Sequence, residues 1–508
     1  MTRMRPAWWA ALLLAIVLVL QVTGLDRYPA VWFDEGFRFN AARVLADEGA
    51  FGSRSAAGII PFDAALTSGP LEVSLVAASF SALGLGVTQG RLPFVVLTLL
   101  ALLLVYAIGV EAFAPTAAIF MVLTVAAAPP IGDLGVLRVG RQALSETPAM
   151  AMVLLGLWCW VRSWDRASAG WAWAAGLCFG VGLLSKSQFA IALVPAVALV
   201  AAGRYDWRLD TVSRAAAPMA GIMVVLAGWW ALGRWSSDPA IADANLQLLQ
   251  QGVAANIVTG LWGAALDRGA VLVAVICLFG VAWTLLGARF DWWARQWTAG
   301  FWLAVFLGLV ALFNTIWFAL FSIGWRRYAY IGYVATLMLA GLLLWRLLAW
   351  AERRLLAAGR PSMARVIAPA VASLLVLMMV TGAAAPLWRG DGSDNAAMMS
   401  RFIEAHVPRS AVIETWEWEL SGLGRHTAFH FPDQRYVYLV TAQQGRQLAF
   451  DLPYDPLVAD PDYLVTGPFS ALTGLYRQEV VDRHFSPVAE YPPYVLYARQ
   501  RDITATGR

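Results

Sequence analysis

Long apolar runs broken by short polar stretches make up the first four fifths of the chain. The first occupies 8–22, and others follow at about 92–110, 115–131, 147–163, 170–185, 189–202, 213–232, 269–287, 297–321, 329–347 and 366–385. Runs of this length suit helices that cross about 30 Å of hydrocarbon. The pattern therefore predicts an α-helical polytopic membrane protein with about eleven transmembrane helices. Segment 70–86 is the ambiguous one, because it is apolar but carries Glu72 and several Ser and Gly residues. Counting it as a span reverses the orientation of everything after it, so loop charges have to decide. With 70–86 lying along the interface, Arg162 and Arg166, then Arg204, Arg208 and Arg214, then Arg289 and Arg295 fall on the inside. The last inside loop holds Arg346, Arg353, Arg354, Arg360 and Arg365. That asymmetry follows the positive-inside rule, and the opposite parity violates it. Segment 70–86 is read as a juxtamembrane helix within an outer loop, 25–91.

The same parity puts 25–91, 132–146, 233–268 and the tail after Pro386 on one outer face, where a site is expected. The tail changes character. Positions 394–406 have helical spacing behind a Ser393/Asp394 cap, and 411–415, 436–440, 463–466 and 494–497 are short β-rich runs. The division predicted is a membrane domain, 1–386, and a small extracytoplasmic α/β domain, 387–508.

Composition agrees with a membrane location. Of 508 residues 60% are hydrophobic and 14% charged, far from the roughly even apolar share of soluble domains. The mean hydropathy is +0.63. The 25 Trp suit interfacial belts and ordinary packing. A net charge of +4 does not point to nucleic acid, since the basic residues are spread over loops. Cys159, Cys178 and Cys277 all lie within apolar runs, without metal-ligand spacing, and read as packing residues. The N-terminal Met1-Thr2-Arg3-Met4-Arg5 resembles a signal sequence, but no convincing small-x-small site follows before Asp34, so a retained anchor is preferred to a cleaved one.

Candidate chemistry gathers on the outer face. Trp32-Phe33-Asp34-Glu35-Gly36-Phe37-Arg38 places two adjacent carboxylates just beyond the first span, where ionisable groups are costly unless paired or hydrated. Asp34 is the candidate general base, Glu35 a second acid or ligand for a cation, and Arg38 a cation one helical turn on. Arg138-Val139-Gly140-Arg141 leads to Glu146, a carboxylate that either complements a helix N-terminus or completes the site with Arg138 or Arg141. Asp133 competes with Glu146 for that place. Lys186, the only lysine, either snorkels or serves as a point charge on a phosphate. Trp325-Arg326-Arg327-Tyr328 is an outer basic cluster whose guanidinium forks suit phosphate oxygens. His426 and His430 have i,i+4 spacing but no third ligand, and are read as structural rather than zinc-binding.

In this order the motifs resemble the GT-C glycosyltransferases, most closely the protein O-mannosyltransferase and lipid A aminoarabinose transferase-like group. The resemblance rests on the acidic pair after the first span, Arg91-Leu92-Pro93, the Arg141 to Glu146 element, Gly182-Leu183-Leu184-Ser185-Lys186-Ser187 and the Arg327-Tyr328 pair. It covers about 1–350, and Ile413-Glu414-Thr415-Trp416-Glu417-Trp418-Glu419-Leu420 is the most recognisable stretch of the tail. The resemblance implies transfer of a sugar from a polyprenyl-phosphate donor to an acceptor hydroxyl on the extracytoplasmic face, with inversion. It assigns Asp34 as base, Glu146 as a second acid, and Lys186, Arg327 and Tyr328 as matches to family positions. Two departures stand out. Thr67-Ser68-Gly69-Pro70 replaces a Lys-Pro common in aminoarabinose-type members, and the proline that often follows the Arg-Tyr element is absent, with Gly332 nearby.

The expected site is thus Asp34, Glu35 and Glu146 for catalysis, with Arg38, Arg138, Arg141, Lys186, Arg326, Arg327 and Tyr328 for the lipid phosphate or sugar. No cofactor is required, since placed cations can neutralise the leaving phosphate; a divalent cation, if used, is expected on Asp34, Glu35 and Glu146. The partners implied are the lipid-linked donor and a lipid, glycan or protein acceptor, at the cell membrane with the N-terminus cytoplasmic. Two other classes fit less well: a transporter or flippase of lipid-linked sugars, whose polar groups usually sit near the midplane, and a non-catalytic envelope scaffold.

Overall fold

A computed structural model describes residues 6–61, 69–128, 134–205, 209–236, 298–322, 325–389, 394–432 and 454–500, with 243 and 247 as isolated helical positions. The expected span 269–287, Asp133, Cys277, Thr67, Ser68, Ser393 and the β-rich run 436–440 lie outside them.

The apolar runs fold as helices: α1 (Pro6–Val22), α4 (Val87–Ala112), α5 (Pro115–Ala127), α7 (Glu146–Arg166), α8 (Ala169–Ser185), α9 (Ala190–Arg204), α10 (Leu209–Ser236), α11 (Ala299–Phe321), α12 (Tyr330–Ala357) and α13 (Pro361–Arg389). Among the described residues six helical stretches are long and apolar enough to cross a membrane, namely those at 87–112, 187–204, 211–235, 299–321, 326–357 and 361–388. One large apolar core joins α1, α4, α5, α7, α8, α9, α11 and α12, with Trp160, Phe179, Phe189 and Phe306 fully buried in it.

Between the first two of these helices lie α2 (Phe33–Glu48), the hairpin β1 (Gly52–Ser55) and β2 (Gly58–Pro61), and α3 (Pro70–Leu83). Segment 70–86 is helical as far as Leu83, and the 14 residues of α3 extend about 21 Å at about 1.5 Å per residue, short of the ~30 Å core of a bilayer. Asp34 and Glu35 occupy the first turn of α2, where carboxylates complement the helix dipole, and Gly49 ends it in the left-handed conformation at φ 67°. A short turn, α6 (Val136–Val139), leads toward α7.

The tail forms a five-stranded sheet in the order β4-β3-β5-β7-β6, built from β3 (Ile413–Thr415), β4 (Phe429–His430), β5 (Tyr463–Thr466), β6 (Phe485–Tyr491) and β7 (Tyr494–Arg499). Strand β3 is parallel to both neighbours, with Glu414 opposite His430 on one side and Leu464 on the other, whereas β5, β7 and β6 are antiparallel. Helices α14 (Asn395–His406), α15 (Trp418–Leu423), α16 (Pro468–Thr473) and α17 (Gln478–His484) accompany it. The expected helix at 394–406 is present, but the Asp394 side chain makes no cap bond. Its carboxylate reaches Arg401 at 3.4 Å instead.

The sheet unit packs onto α2 through backbone contact. Gly36 meets Trp418 and Glu419 so closely that a Cβ on it would lie 2.1 Å from the Glu419 nitrogen, and Gly422 sits against the Gly36 carbonyl in the same way. Aromatic rings extend the contact: Phe33 stacks on Phe469 at 3.9 Å and Phe37 meets Trp418 edge-on at 5.0 Å. Asn40 donates to Ser421 Oγ at 3.0 Å, and Arg43 donates to the Gly424 carbonyl.

Candidate active site

Four separate pieces of chain bring charged side chains to one place beside α2. Asp34 comes from the first turn of α2, Glu146 from the start of α7, Lys186 from the residue that ends α8, and Arg327 from the 3-10 turn Arg326–Ala329 that precedes α12. Arg327 reaches the Asp34 carboxylate at 2.6 Å, and Lys186 Nζ reaches Glu146 Oε1 at 2.7 Å. Glu146 is buried, but the Asp34 side chain is 28% exposed. A carboxylate that is paired yet open to solvent can still be approached by a substrate hydroxyl.

Each piece is locked locally. Lys186 follows the α8 helix in an extended conformation with its N–H still bonded to Gly182, and its ammonium lies 5.2 Å from the Tyr328 ring centre. Gly69 N–H donates to the Leu184 carbonyl at 2.6 Å. A Cβ on Gly69 would fall 2.6 Å from Leu184, so the departure from Lys-Pro places a small residue where two backbones meet. Asn314, buried on α11, donates to the Tyr328 carbonyl at 3.1 Å and accepts from Gly332 N–H at 3.2 Å. A Cβ at 332 would lie 2.5 Å from Asn314 Oδ1. Glycine there lets one amide side chain fix the turn carrying Arg327 and Tyr328.

Arg38 donates to the Asp34 carbonyl at 2.7 Å and to Ser145 Oγ at 2.5 Å, and Ser145 donates in turn to buried Glu72 at 3.0 Å. Neither Glu72 nor Ser145 is among the residues expected at the site. The available signal was a lone carboxylate in an apolar segment, which has to find a partner. The field around Asp34 follows from these neighbours. Burial pushes its acid constant up, but Arg327 and Arg38, with Lys186 further off, outweigh burial and hold it below the ordinary aspartate range.

Other expected residues lie elsewhere. Glu35 is fully buried and turned to Arg91, which donates from Nε at 2.9 Å and from Nη2 at 2.7 Å; the Ala143 N–H adds a third bond at 2.8 Å. Arg91 also holds the Leu25 carbonyl at 2.9 Å. The pair ties α2, α4 and the loop before α7 together, and it explains the Arg-Leu-Pro element. Breaking a buried pair of this kind costs about 3–5 kcal/mol. Arg141 gives its guanidinium to the carbonyls of Leu20, Thr23 and Tyr28 at 2.6–2.9 Å, closing the end of α1. Arg138 lies over the Tyr28 ring at 5.9 Å. Arg326 shares the turn with Arg327. Among the described residues no group of three or more His, Cys, Asp or Glu gathers as a metal site. His426 donates or accepts at the Ala411 carbonyl and His430 pairs with Glu414, both within the sheet unit.

Comparison with known proteins places this arrangement in a setting. The sequence model of the family described as dolichyl-phosphate-mannose-protein mannosyltransferase matches residues 68–231. No curated protein matches the chain. The structure is similar to that of ArnT from Cupriavidus metallidurans bound to undecaprenyl phosphate, with a TM-score of 0.64 at 18% identity over 97% of this chain and 98% of that one. It is also similar to the archaeal oligosaccharyltransferase AglB from Archaeoglobus fulgidus, in complex with an inhibitory peptide and a dolichol-phosphate. There the TM-score is 0.56 at 12% identity, covering 98% of this chain and 75% of that one. The chain thus shares the fold of these two proteins, with a small sheet unit at its C-terminal end, and its long apolar helices suit a membrane.

Proposed function

We propose that this integral membrane protein transfers a sugar from a polyprenyl-phosphate carrier to an acceptor hydroxyl on the outer face, in one inverting displacement. The observation that carries the reading is Asp34: an ionised, solvent-reachable carboxylate beside Arg327, Arg38 and Lys186. In the step, Asp34 takes the proton of the acceptor hydroxyl as its oxygen forms a bond to the anomeric carbon. The bond from that carbon to the carrier phosphate breaks, and the phosphate leaves with the electron pair. Its charge is neutralised by Arg327 and Lys186, and Glu146 holds Lys186 in place until the phosphate arrives. Arg38, tied to Ser145 and the Asp34 carbonyl, keeps the base oriented. Because cations of the protein serve the leaving group, transfer is expected to persist after chelation.

The similarity of the fold to proteins solved with undecaprenyl phosphate and dolichol-phosphate supports a lipid carrier as donor. Purified protein is tested with radiolabelled polyprenyl-phosphate sugars and an envelope extract as acceptor. Asp34→Asn is expected to lower transfer by about 10²–10⁴-fold, the range of general-base contributions. Full activity in that variant excludes Asp34 as base. No product from any donor, by a folded protein that still binds the lipid-linked sugar, replaces this reading with a transporter or scaffold.

A further inference from the structure

A polar cavity of about 110 Å³ opens where the second half of α2 meets β1 and the sheet unit. None of Asp34, Arg38, Glu72, Glu146, Lys186 or Arg327 lines it. Arg43, at its wall, stands about two and a half helical turns beyond Asp34, which sets it on the opposite side of α2 and about 14 Å further along. The charges of the lining cancel. Arg43 pairs with Asp47 Oδ2 at 3.5 Å and Arg54 pairs with Glu48 Oε1, and the second oxygen of each carboxylate makes no bond among the described residues. Asn40, 5% exposed, joins the walls, since it donates to Ser421 Oγ at 3.0 Å and accepts from the Arg54 N–H at 2.8 Å. His426, also 5% exposed, lines the cavity from the sheet unit. Its Nε2 lies 3.0 Å from the Ala411 carbonyl and carries the proton, because a carbonyl only accepts. Burial holds the ring below the ordinary histidine value of 6.5, so Nδ1 is an acceptor at neutral pH, and it makes no hydrogen bond among the described residues.

An occupant has to suit these groups together. Two guanidinium groups balanced by two carboxylates leave no net charge to attract a phosphate or a lone cation. No group of three or more metal-ligating side chains gathers there among the described residues. What the lining offers is donors alternating with acceptors. A guanidinium fork gives two parallel N–H bonds to neighbouring oxygens, a carboxylate accepts from neighbouring hydroxyls, and His426 Nδ1 accepts once more. Vicinal hydroxyls, each a donor and an acceptor at once, answer that alternation. Val44 and Phe429, both 2% exposed, supply an apolar floor for the C–H face of a ring. The volume equals about four waters at ~30 Å³ each, room for the hydroxyl-bearing edge of one sugar ring and not for a chain.

We propose that this cavity is a saccharide site, separate from the Asp34 cluster, that takes one uncharged pyranose ring of a glycan. One ring hydroxyl donates to His426 Nδ1, and a vicinal pair is held between the Arg54 guanidinium and the Asp47 carboxylate. The rest of the glycan runs outward from the seam. Because α2 stands between the cavity and Asp34, the site holds the protein on a glycan chain and does not present a hydroxyl to the base.

The test is saturation-transfer NMR of the full-length protein in lipid nanodiscs, free of sugar-headed detergent. The probes are the methyl glycosides of glucose, mannose and galactose, with glucuronate and inorganic phosphate as charged controls. Wild type is compared with Thr427→Trp, Asp47→Ala and Asp34→Asn. Thr427 is an exposed lining residue, so an indole there fills the cavity from its solvent side. Asp47 is 56% exposed and its pairing contributes little to the fold. A neutral glycoside is expected to bind saturably to wild type and to Asp34→Asn. Thr427→Trp is expected to abolish that binding and Asp47→Ala to weaken it about tenfold, the scale of one charge-assisted hydrogen bond, with both variants unfolding at the wild-type temperature. Absence of saturable binding by all three glycosides, or binding unchanged in either cavity variant, overturns the proposal. Tighter binding of glucuronate or phosphate than of any neutral glycoside overturns it too, and makes the cavity an anion site. Binding kept in Thr427→Trp but lost in Asp34→Asn places the sugar at the transfer site instead. The readout is binding, so it stands whether or not sugar transfer is observed.

Discussion

Two clusters of acids meet across α2, and they are opposite in kind. Beside the membrane body, Asp34 and Glu146 each hold a basic side chain, and Asp34 remains reachable from solvent. In the sheet unit, Glu414, Glu417 and Glu419 are fully buried and, apart from His430, are held by uncharged donors. Tyr454 and Tyr476 donate to Glu414 at 2.7 and 2.9 Å, the Phe469 and Ser470 amides donate to Glu417 at 3.1 and 2.8 Å, and Tyr494 donates to Glu419 at 2.8 Å. Burial raises the acid constants of all three, and Glu419, beside Glu417, is pushed well above the ordinary range. A buried carboxylate alone does not mark chemistry. Counter-cations together with access do, because only that combination keeps a base ionised where a substrate arrives.

After Asp34→Asn, the sharpest way to break this contrast is to remove a charge from the first cluster. Glu146→Gln leaves Lys186 without its 2.7 Å partner, and transfer assayed as above is expected to fall by about 10²-fold. An unchanged rate would mean that Glu146 only completes a helix end. Next comes the junction. Gly36→Ala drives a methyl into the α15 backbone two residues from Asp34, and a shift on the order of 1 Å in a positioned base costs about 10²-fold. The expected outcome is a fall in kcat of about 10–100-fold with the donor KM little changed. Loss of folding in that variant is distinguished by size-exclusion behaviour and unfolding temperature. A rate equal to wild type would show that the sheet unit does not position the base.

A pH series separates the clusters without mutation. Glu414, Glu417 and Glu419 bind their protons more tightly folded than unfolded, so their contribution is complete below the ordinary glutamate value of 4.5 and is lost as pH rises above it. The raised His430, favoured by Glu414, acts in the same direction from about its ordinary 6.5 upward. Asp34, with a lowered constant, acts in the other direction and only below its ordinary 3.8. The unfolding temperature is therefore expected to fall between pH 5 and pH 8.5 in buffers of about equal ionic strength, and His430→Gln is expected to flatten the upper part of that fall. A temperature that rises across the window contradicts the raised acid constants of the sheet-unit acids.

The fold was legible where physics is one-dimensional. An apolar run long enough to cross hydrocarbon has few alternatives to a helix, and α1, α4, α7 and α8 fall where the runs predict them. The positions of Asp34, Arg38, Glu146, Lys186 and Arg327 could be named because ionisable groups at helix ends beside a membrane are few. Their pairing could not, since it depends on how four helix ends converge. Glu35 shows the limit most clearly. It follows Asp34 directly and is of the same chemical class, but a helix turns about 100° per residue, so one carboxylate faces the site and its neighbour faces Arg91. Arg141 likewise reads as a phosphate ligand from its charge, and only the structure shows three carbonyls taking its donors. The acids of Ile413 to Leu420 carry no sign of their partners in sequence, because nothing in a linear pattern shows which donors a buried acid will find.

The smallest effect is the most discriminating for the second cluster. Glu419 lies beside Glu417 and accepts a hydrogen bond from Tyr494 at 2.8 Å. If Glu419 carries the proton of the pair, glutamine reproduces its shape, its charge, its acceptor for Tyr494 and a donor for Glu417. Glu419→Gln is therefore expected to change stability by no more than about 0.5 kcal/mol near pH 7 and to leave transfer intact, in contrast to Glu146→Gln. The two substitutions are chemically identical and both remove a buried carboxyl, so differences in side-chain volume cannot explain opposite results. If Glu419→Gln instead costs several kcal/mol in denaturant unfolding, Glu419 is ionised in the folded protein, and the two acidic clusters are more alike than their partners suggest.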